Sequence, residues 1–295
     1  MFNLIKMDLY RMVHSVSFKV MLVVVVAIAF FTIGMTSYDV KYMQEQQKEV
    51  LSQAMIQEEN VQVSEAEDGP KLTFEFGFTM DTDYGWGTKV PFSDLMNENF
   101  KSRILLLLCV IFVPLFVNAE YKNGYIKNIA GQLPNRGTLV ISKLVAVALQ
   151  VLVLFIGYTF WSFIAGKIFF GSTMVFGNTG KLLSCTALHY VLCLAISYVV
   201  LMMTLLAKSA ALSLTFGILC STGFLGLLYS GINIAIASIT GKEGFDIGLF
   251  TPEMNVMQIN FDMTAGTVTR VLVVGLVYAA VAAVIAITVM RKRDV

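Results

Sequence analysis

Charged residues are scarce in this sequence. Only 14% of its 295 residues are Asp, Glu, Lys or Arg, whereas 57% are hydrophobic and the mean hydropathy is +0.73. An ordinary soluble domain carries about a quarter charged residues. This scarcity excludes a soluble domain of usual composition and predicts a polytopic membrane protein.

The residues that carry most enzyme chemistry are also few. With only His14 and His189 the chain has no H-E-x-x-H motif, and each Gly-Lys pair lacks the upstream glycine of a G-x-x-x-x-G-K-[ST] phosphate loop. We therefore expect no catalytic residue, no metal and no cofactor in this chain, and any ATP chemistry would belong to a partner. An intramembrane enzyme is disfavoured, because no nucleophile and base can be paired.

The four cysteines fall inside apolar runs, where a thiol usually behaves as a small buried hydrophobe. They are Cys109, Cys185, Cys193 and Cys220. His189 also lies among apolar residues, and we expect it to have a packing role rather than a role in a transport pathway.

Apolar runs that cross about 30 Å of hydrocarbon need roughly twenty residues. Five runs reach that length, and a sixth, Ile104 to Val117, is shorter and contains Pro114. We predict an all-α polytopic membrane protein with six transmembrane helices. The predicted segments are an interfacial N-terminal helix at 1–17, spans at 18–36, 101–118, 138–166, 182–207, 210–236 and 268–290, an acidic extracellular domain at 37–100, a cytoplasmic coupling helix and turn at 119–137, an extracellular loop at 237–267 and a cytoplasmic tail at 291–295.

The opening residues, MFNLIKMDLYRMVHS, predict an amphipathic helix that lies in the membrane interface. Phe2, Ile5, Leu9 and Met12 form its apolar face. Asp8 and Arg11 fall away from that face, so we expect them on the polar side of the helix.

The charges are unevenly distributed along the chain. Between Ser37 and Phe100 there are thirteen acidic residues and four lysines, a net charge of −9. Lys and Arg instead precede the first span, follow the second and fourth, and end the chain, and such clusters mark the cytoplasmic side. We predict a bacterial cell membrane protein with both termini cytoplasmic and the acidic segment outside.

The acidic segment is predicted to form a small mixed α/β domain. Its first part lacks Gly and Pro, which favours continuation of the first span as a polar helix. The stretch KLTFEFGFT alternates as a half-buried strand does. PFSDL predicts a helix start that Ser93 caps.

A polar stretch, NAEYKNGYIKNIAGQLPNRGTLVISK, separates two of the most apolar runs. Its first part has helical spacing interrupted by Gly124, and Pro134 then forces a break. Anchoring by positive charge would explain the lysines but not Glu120, Gly124 and the Pro-Asn-Arg turn together. A short helix across the membrane surface would suit the docking of a soluble partner.

This stretch resembles the signature that follows the second span of ABC-2 type transporter permeases. An acid, an N-G pair, an I-K-N step, a P-x-R turn and an S-K entry occur in that order. The six-span layout resembles that family along most of the chain, whereas the acidic outer domain is not part of the resemblance. A Thr commonly follows the N-G pair in the family, and here the residue is Tyr125.

The resemblance implies a coupling helix that sits in a cleft of a separate ABC ATPase subunit, which binds ATP and Mg. It also implies a second permease subunit, identical or different. The implied contact residues are Glu120, Lys122, Asn123, Gly124 and Lys127, with Arg136 and Lys143 orienting the turn and the next span.

The predicted function is that of the permease subunit of an ATP-driven exporter. The central thirds of the spans contain no clear charged residue, which disfavours an ion-coupled pump. An amphipathic or antimicrobial peptide is favoured as cargo over a lipid, drug or ion, since the outer segment would attract a cationic molecule. The alternative is a sensing or immunity protein that binds a peptide without transporting it.

The charge asymmetry yields a test of topology. In a variant without the four native cysteines, a cysteine at Gln57 should react with a membrane-impermeant thiol reagent added to intact cells. A cysteine at Asn128 should react only after the cells are opened, because that position is predicted to be cytoplasmic. The reverse pattern would refute the predicted orientation.

Overall fold

The computed structural model describes residues 2–56, 89–122, 136–241 and 244–292, and these are mostly helical. The helices are α1 (Phe2–His14), α2 (Val16–Ile56), α3 (Phe92–Lys101), α4 (Ile104–Lys122), α5 (Gly137–Phe170), α6 (Thr179–Ala207), α7 (Ala210–Ser221), α8 (Leu225–Thr240), α9 (Pro252–Asn255) and α10 (Ala265–Lys292). The described part also contains strands β1 (Val90–Pro91) and β2 (Met174–Val175) and 3-10 turns at Gly171–Thr173, Ile247–Phe250 and Val256–Gln258.

Four stretches, in α2, α5, α6 and α10, are long and apolar enough to cross a membrane. Two helix pairs pass the same test when their members are taken together, but each pair is bent: α3 and α4 by 50°, and α7 and α8 by 69°. The predicted second and fifth spans fall on these two bent pairs. The fold is that of a multi-pass helical membrane protein with four candidate spans, or six if each bent pair counts as one.

Helix α2 continues well beyond the length of a span. Its 41 residues correspond to about 60 Å at 1.5 Å per residue, roughly twice the hydrocarbon thickness. This confirms the predicted helical continuation of the first apolar run. Val25, Ala29 and Ile33 recur at every fourth position and are buried, which gives the helix one face that packs into the bundle.

Helices α5 and α6 occupy the centre of the bundle. Helix α5 packs against α2, α1 and α10, whereas α6 packs against α10, α4 and α7. A Cβ atom at Gly275 in α10 would lie 2.7 Å from Val191 Cγ1 in α6, and one at Gly217 in α7 would lie 3.0 Å from Val110 Cβ in α4. These glycines let the helices approach closely, which favours helix association inside lipid.

Both ends of the acidic segment return to the turn between α5 and α6. Ser37 Oγ and Lys41 Nζ on α2 donate hydrogen bonds to the carbonyl oxygen of Phe169 at 3.5 and 3.3 Å. At the other end, β1 pairs in parallel with β2, just beyond α5. The predicted strand KLTFEFGFT lies outside the described residues, so the mixed α/β outer domain stays a prediction.

Helix α3 begins at Phe92, within the PFSDL motif, but Ser93 does not cap it. The N-cap is Pro91, without a side-chain cap, and Ser93 Oγ instead donates to Asp94 Oδ1 at 2.7 Å. The backbone N–H of Ser93 donates to the carbonyl oxygen of Phe176 at 3.2 Å. The backbone beside β2 therefore satisfies a first-turn N–H group, where the sequence predicted a side-chain cap.

Candidate functional site

Four charged side chains from three helices meet at one end of the bundle. Helix α1 supplies Asp8 and Arg11, α4 supplies Glu120, and α5 supplies Lys143 together with its neighbour Ser142. We refer to these five residues as the ion cluster. They join the N-terminal helix to the two helices that flank the polar stretch identified in the sequence.

Lys143 lies at the centre of the ion cluster. Its Nζ donates a hydrogen bond to Glu120 Oε2 and lies 3.7 Å from Asp8 Oδ2. Ser142 Oγ donates to the same Asp8 oxygen at 2.5 Å. Arg11 Nη1 donates to Glu120 Oε1 at 3.4 Å, so each carboxylate contacts a cation.

The ion cluster is almost fully removed from solvent. The side chains of Lys143 and Asp8 are 1% exposed and that of Glu120 is 2% exposed, while Arg11, at 27%, reaches the surface. Two acids and two bases cancel in formal charge. Because removing one member of a buried ion pair leaves an uncompensated charge, the three helices are expected to depend on one another for their positions.

Apolar packing and one unfilled acceptor complete the site. Lys143 Nζ lies 5.7 Å from the ring centroid of Phe116, within reach of a cation–π contact. Asp8 Oδ1 has no hydrogen-bond partner among the described residues. The site can thus hold helices together, and it retains one buried acceptor on α1.

The ion cluster joins the two helices that residues 123–135 connect along the chain. Glu120 lies in the last turn of α4, and Lys143 lies in the second turn of α5. Their contact therefore links the residues that precede this segment to those that follow it. A shift of α4 relative to α5 would therefore change the distance between the two ends of the segment.

The structure places only some of the residues that were predicted to contact an ATPase subunit. The structure brings Glu120 and Lys143 together, but both are buried, so in this conformation neither lies on a surface that a separate subunit could touch. Arg136 stands at the start of α5 and is half-buried. Lys122 ends α4, and its side chain is not described; Asn123, Gly124 and Lys127 lie outside the described residues.

Sequence reasoning did not include Asp8, Arg11 and Ser142 in the site. The prediction that Asp8 lies on the polar side of α1 is wrong, because the structure buries it together with Met12. A signal was present, because residues four apart share a helix face, and Asp8 and Met12 have that spacing. Phe2, at the start of the predicted apolar face, is 79% exposed, whereas Met12 on the same face is buried, so the buried side of α1 carries both an apolar and an acidic residue.

Other buried polar groups support packing. Tyr158 Oη on α5 donates to Asn99 Oδ1 at 2.8 Å and lies 3.0 Å from Thr32 Oγ1, so it connects α5 with α3 and α2. His189 Nδ1 lies 2.9 Å from the Cys185 carbonyl oxygen one turn earlier on α6. All four cysteines are buried free thiols, as predicted. Within the described ranges, no group of three or more His, Cys, Asp and Glu residues could hold a metal ion.

The helices and the ion cluster define a multi-pass membrane protein with a buried charged junction. Residues 50–295 match the family described as "Protein of unknown function (DUF2705)", and because the match covers most of the chain, the chain belongs to that family. The matched region includes Glu120 and Lys143 and begins after α1. A comparison with curated proteins gives no match.

The ion cluster makes a prediction about stability. Glu120→Ala should leave Lys143 with only the more distant Asp8, and the free energy of unfolding should fall by about 3–5 kcal/mol. Chemical or thermal unfolding of the purified protein in detergent measures this loss. The matched control is Glu98→Ala, which removes the partly exposed pair with Lys101 and should cost less than about 1 kcal/mol. Equal losses in the two variants would contradict the structural importance of the cluster.

Proposed function

We propose that this chain is the transmembrane permease subunit of an ATP-driven ABC exporter. The observation that carries the proposal is the polar stretch with the ABC-2-like order of residues, combined with the ion cluster at its two ends. An exporter needs a cytoplasmic segment that is rigidly attached to the spans. Buried contacts among α1, α4 and α5 would provide that attachment.

The proposed topology has six spans, with both termini in the cytoplasm of a bacterial cell. Each bent pair would count as one span, and α1 would lie in the cytoplasmic interface. The lysines and arginines near the ion cluster support this orientation, and so does the acidic segment on the opposite side. Under this topology the ion cluster faces the cytoplasm and the α5–α6 turn faces outward.

In this account the roles of the predicted coupling residues differ. Residues 123–135, which include Asn123, Gly124 and Lys127, would touch the ATPase subunit. Glu120 and Lys143 would hold both ends of that segment from inside the bundle. Closure of the ATPase subunits around ATP and Mg would move the segment, and the ion cluster would pass the displacement to α1, α4 and α5 as a rigid-body motion.

An amphipathic or antimicrobial peptide remains the proposed cargo. The net charge of −9 between Ser37 and Phe100 would concentrate a cationic peptide near the outer face. Because both ends of the segment are tied to the α5–α6 turn, a peptide bound there would be held next to the spans. A second permease subunit would complete the transport path.

The competing function is a sensing or immunity protein that binds a peptide without moving it. The same anchoring favours this alternative, since binding at the acidic segment could shift α5 and α6 directly. The two functions differ in one respect: only the exporter requires ATP turnover that accompanies vectorial movement of the peptide.

The outer segment gives a test of the proposed function. Replacing residues 57–88 with a flexible linker keeps α2 and β1 and removes much of the acidic charge. Export of a cationic peptide from cells, and the ATP turnover it stimulates, should fall to background, because the cargo is no longer gathered. The ATPase subunit should still co-purify, since its proposed contact lies across the membrane.

A variant with five acidic residues neutralised serves as the control. It keeps the segment but replaces Glu58, Glu59, Glu65, Glu67 and Asp68 with their amides, and it should lose peptide capture mainly at low salt, because exposed charges are screened beyond about 8 Å at physiological ionic strength. Unchanged export in the linker variant would contradict a cargo role. Peptide binding without ATP-dependent export in the unaltered protein would favour the sensing alternative.

A further inference from the structure

A second buried charge lies at the bend between α3 and α4. Arg103 connects these helices, is 3% exposed and has φ of +63°. A side chain other than glycine rarely adopts this left-handed backbone conformation, and the surroundings must hold it there. Buried ionisable groups in membrane proteins also tend to be functional. Both facts make Arg103 a candidate functional residue.

The bend between α7 and α8 touches the same side chain. Gly223 lies at this second bend with φ of +77°, and a Cβ atom there would lie 2.3 Å from Arg103 Nη1. The positive φ favours glycine at this position, and any larger residue would also displace the guanidinium group. Two interrupted helices thus meet at one guanidinium group, and irregular backbone at such a depth is tolerated only where protein covers it.

The segment between α8 and α10 completes this junction. Glu253 in α9 is 4% exposed and accepts a hydrogen bond from Tyr229 Oη in α8. The next residue, Met254, places its Sδ 3.7 Å from Arg103 Nη2. Asn255 Nδ2 fixes the short turn by donating to the carbonyl oxygens of Thr251 and Leu249 at 2.7 and 2.9 Å.

We propose that Arg103, Tyr229 and Glu253 form a latch that closes the junction of the two bent helix pairs, and that its release lets α7 and α8 move away from α4. The approach of Arg103 to Gly223 and Met254, and the hydrogen bond between Tyr229 and Glu253, join the two bent pairs and α9 in the described arrangement. The positive φ at both bends marks the points at which each pair can change direction. The latch lies at the opposite end of α4 from Glu120, so it can be tested in the isolated chain without an ATPase subunit.

The latch depends on the proton of Glu253. Burial raises the pKa of the Glu253 carboxyl, while the hydrogen bond from Tyr229 and the charge of Arg103 act in the opposite direction. Among the residues that the structure describes, Cys220 in α7 and Tyr278 in α10 also interact electrostatically with it. An acid whose pKa is raised in the closed state binds its proton more tightly there, so the closed state is favoured at low pH and loses stability as pH rises through the raised pKa.

Native Cys220 provides a reporter of release. It lies at the end of α7 beside the bend, is 3% exposed, and can be made the sole cysteine by replacing Cys109, Cys185 and Cys193 with Ala. In the purified full chain, Tyr229→Phe should increase the rate of maleimide labelling at neutral pH by up to about tenfold, as expected when one buried side-chain hydrogen bond is lost. The control Asp262→Asn, at a highly exposed residue of the same outer segment, should leave the rate unchanged.

A second comparison uses Glu253→Gln, which keeps a hydrogen-bond acceptor for Tyr229 but cannot ionise. At each pH, the rate of maleimide labelling of Cys220 in the protein with native Glu253 is divided by the labelling rate in Glu253→Gln. The intrinsic pH dependence of the thiol then cancels. The ratio should be near one in acid and should rise with pH. A ratio that does not change with pH would overturn the latch, and so would a labelling rate in Tyr229→Phe equal to that in Asp262→Asn. A melting temperature that falls in step with faster labelling would also overturn it, since global unfolding would then explain the exposure.

Discussion

The position of Lys143 is the constraint on which one end of this molecule depends. An ammonium group with 1% exposure requires nearby carboxylates, and it finds them in Glu120 on α4 and Asp8 on α1. Removing either acid would leave buried charge without adequate compensation. The N-terminal helix, which precedes the first span, is therefore tied to the two helices that flank residues 123–135. A local pairing of charges thus sets the arrangement of three helices.

Much of the fold could be predicted from the sequence, because a run of apolar residues that must cross hydrocarbon has few structural options. The long α2 helix and the four unbroken candidate spans follow from this rule. The bends do not, since average hydropathy carries no information about a single residue such as Arg103 at positive φ. The pairing of Glu120 with Lys143 could not be predicted from the sequence either, because it depends on how α4 and α5 pack against each other. The prediction for Asp8 was wrong because it relied on the charge of the residue and not on its position four residues before Met12.

Helix α4 links the two buried charged groups. Arg103 precedes its first residue and Glu120 lies in its last turn, so the two are about 25 Å apart at 1.5 Å per residue. Pro114 lies between them and removes one backbone hydrogen bond from the helix. A displacement at the ion cluster could therefore reach the latch through one packed element with a built-in point of bending. In the proposed exporter, this helix would connect events at the ATPase to the outer junction.

The most direct test of the account is photo-crosslinking from Lys127 in cells that contain the complete system. A photoreactive residue at Lys127 should crosslink to a polypeptide that also binds a labelled ATP analogue. Glu120→Ala in the same chain should reduce this crosslink, whereas Glu98→Ala should not, because only the former releases an end of the segment. Absence of any ATP-binding crosslinked product, or a product whose yield is indifferent to Glu120→Ala, would contradict the proposal that the ion cluster positions a coupling segment.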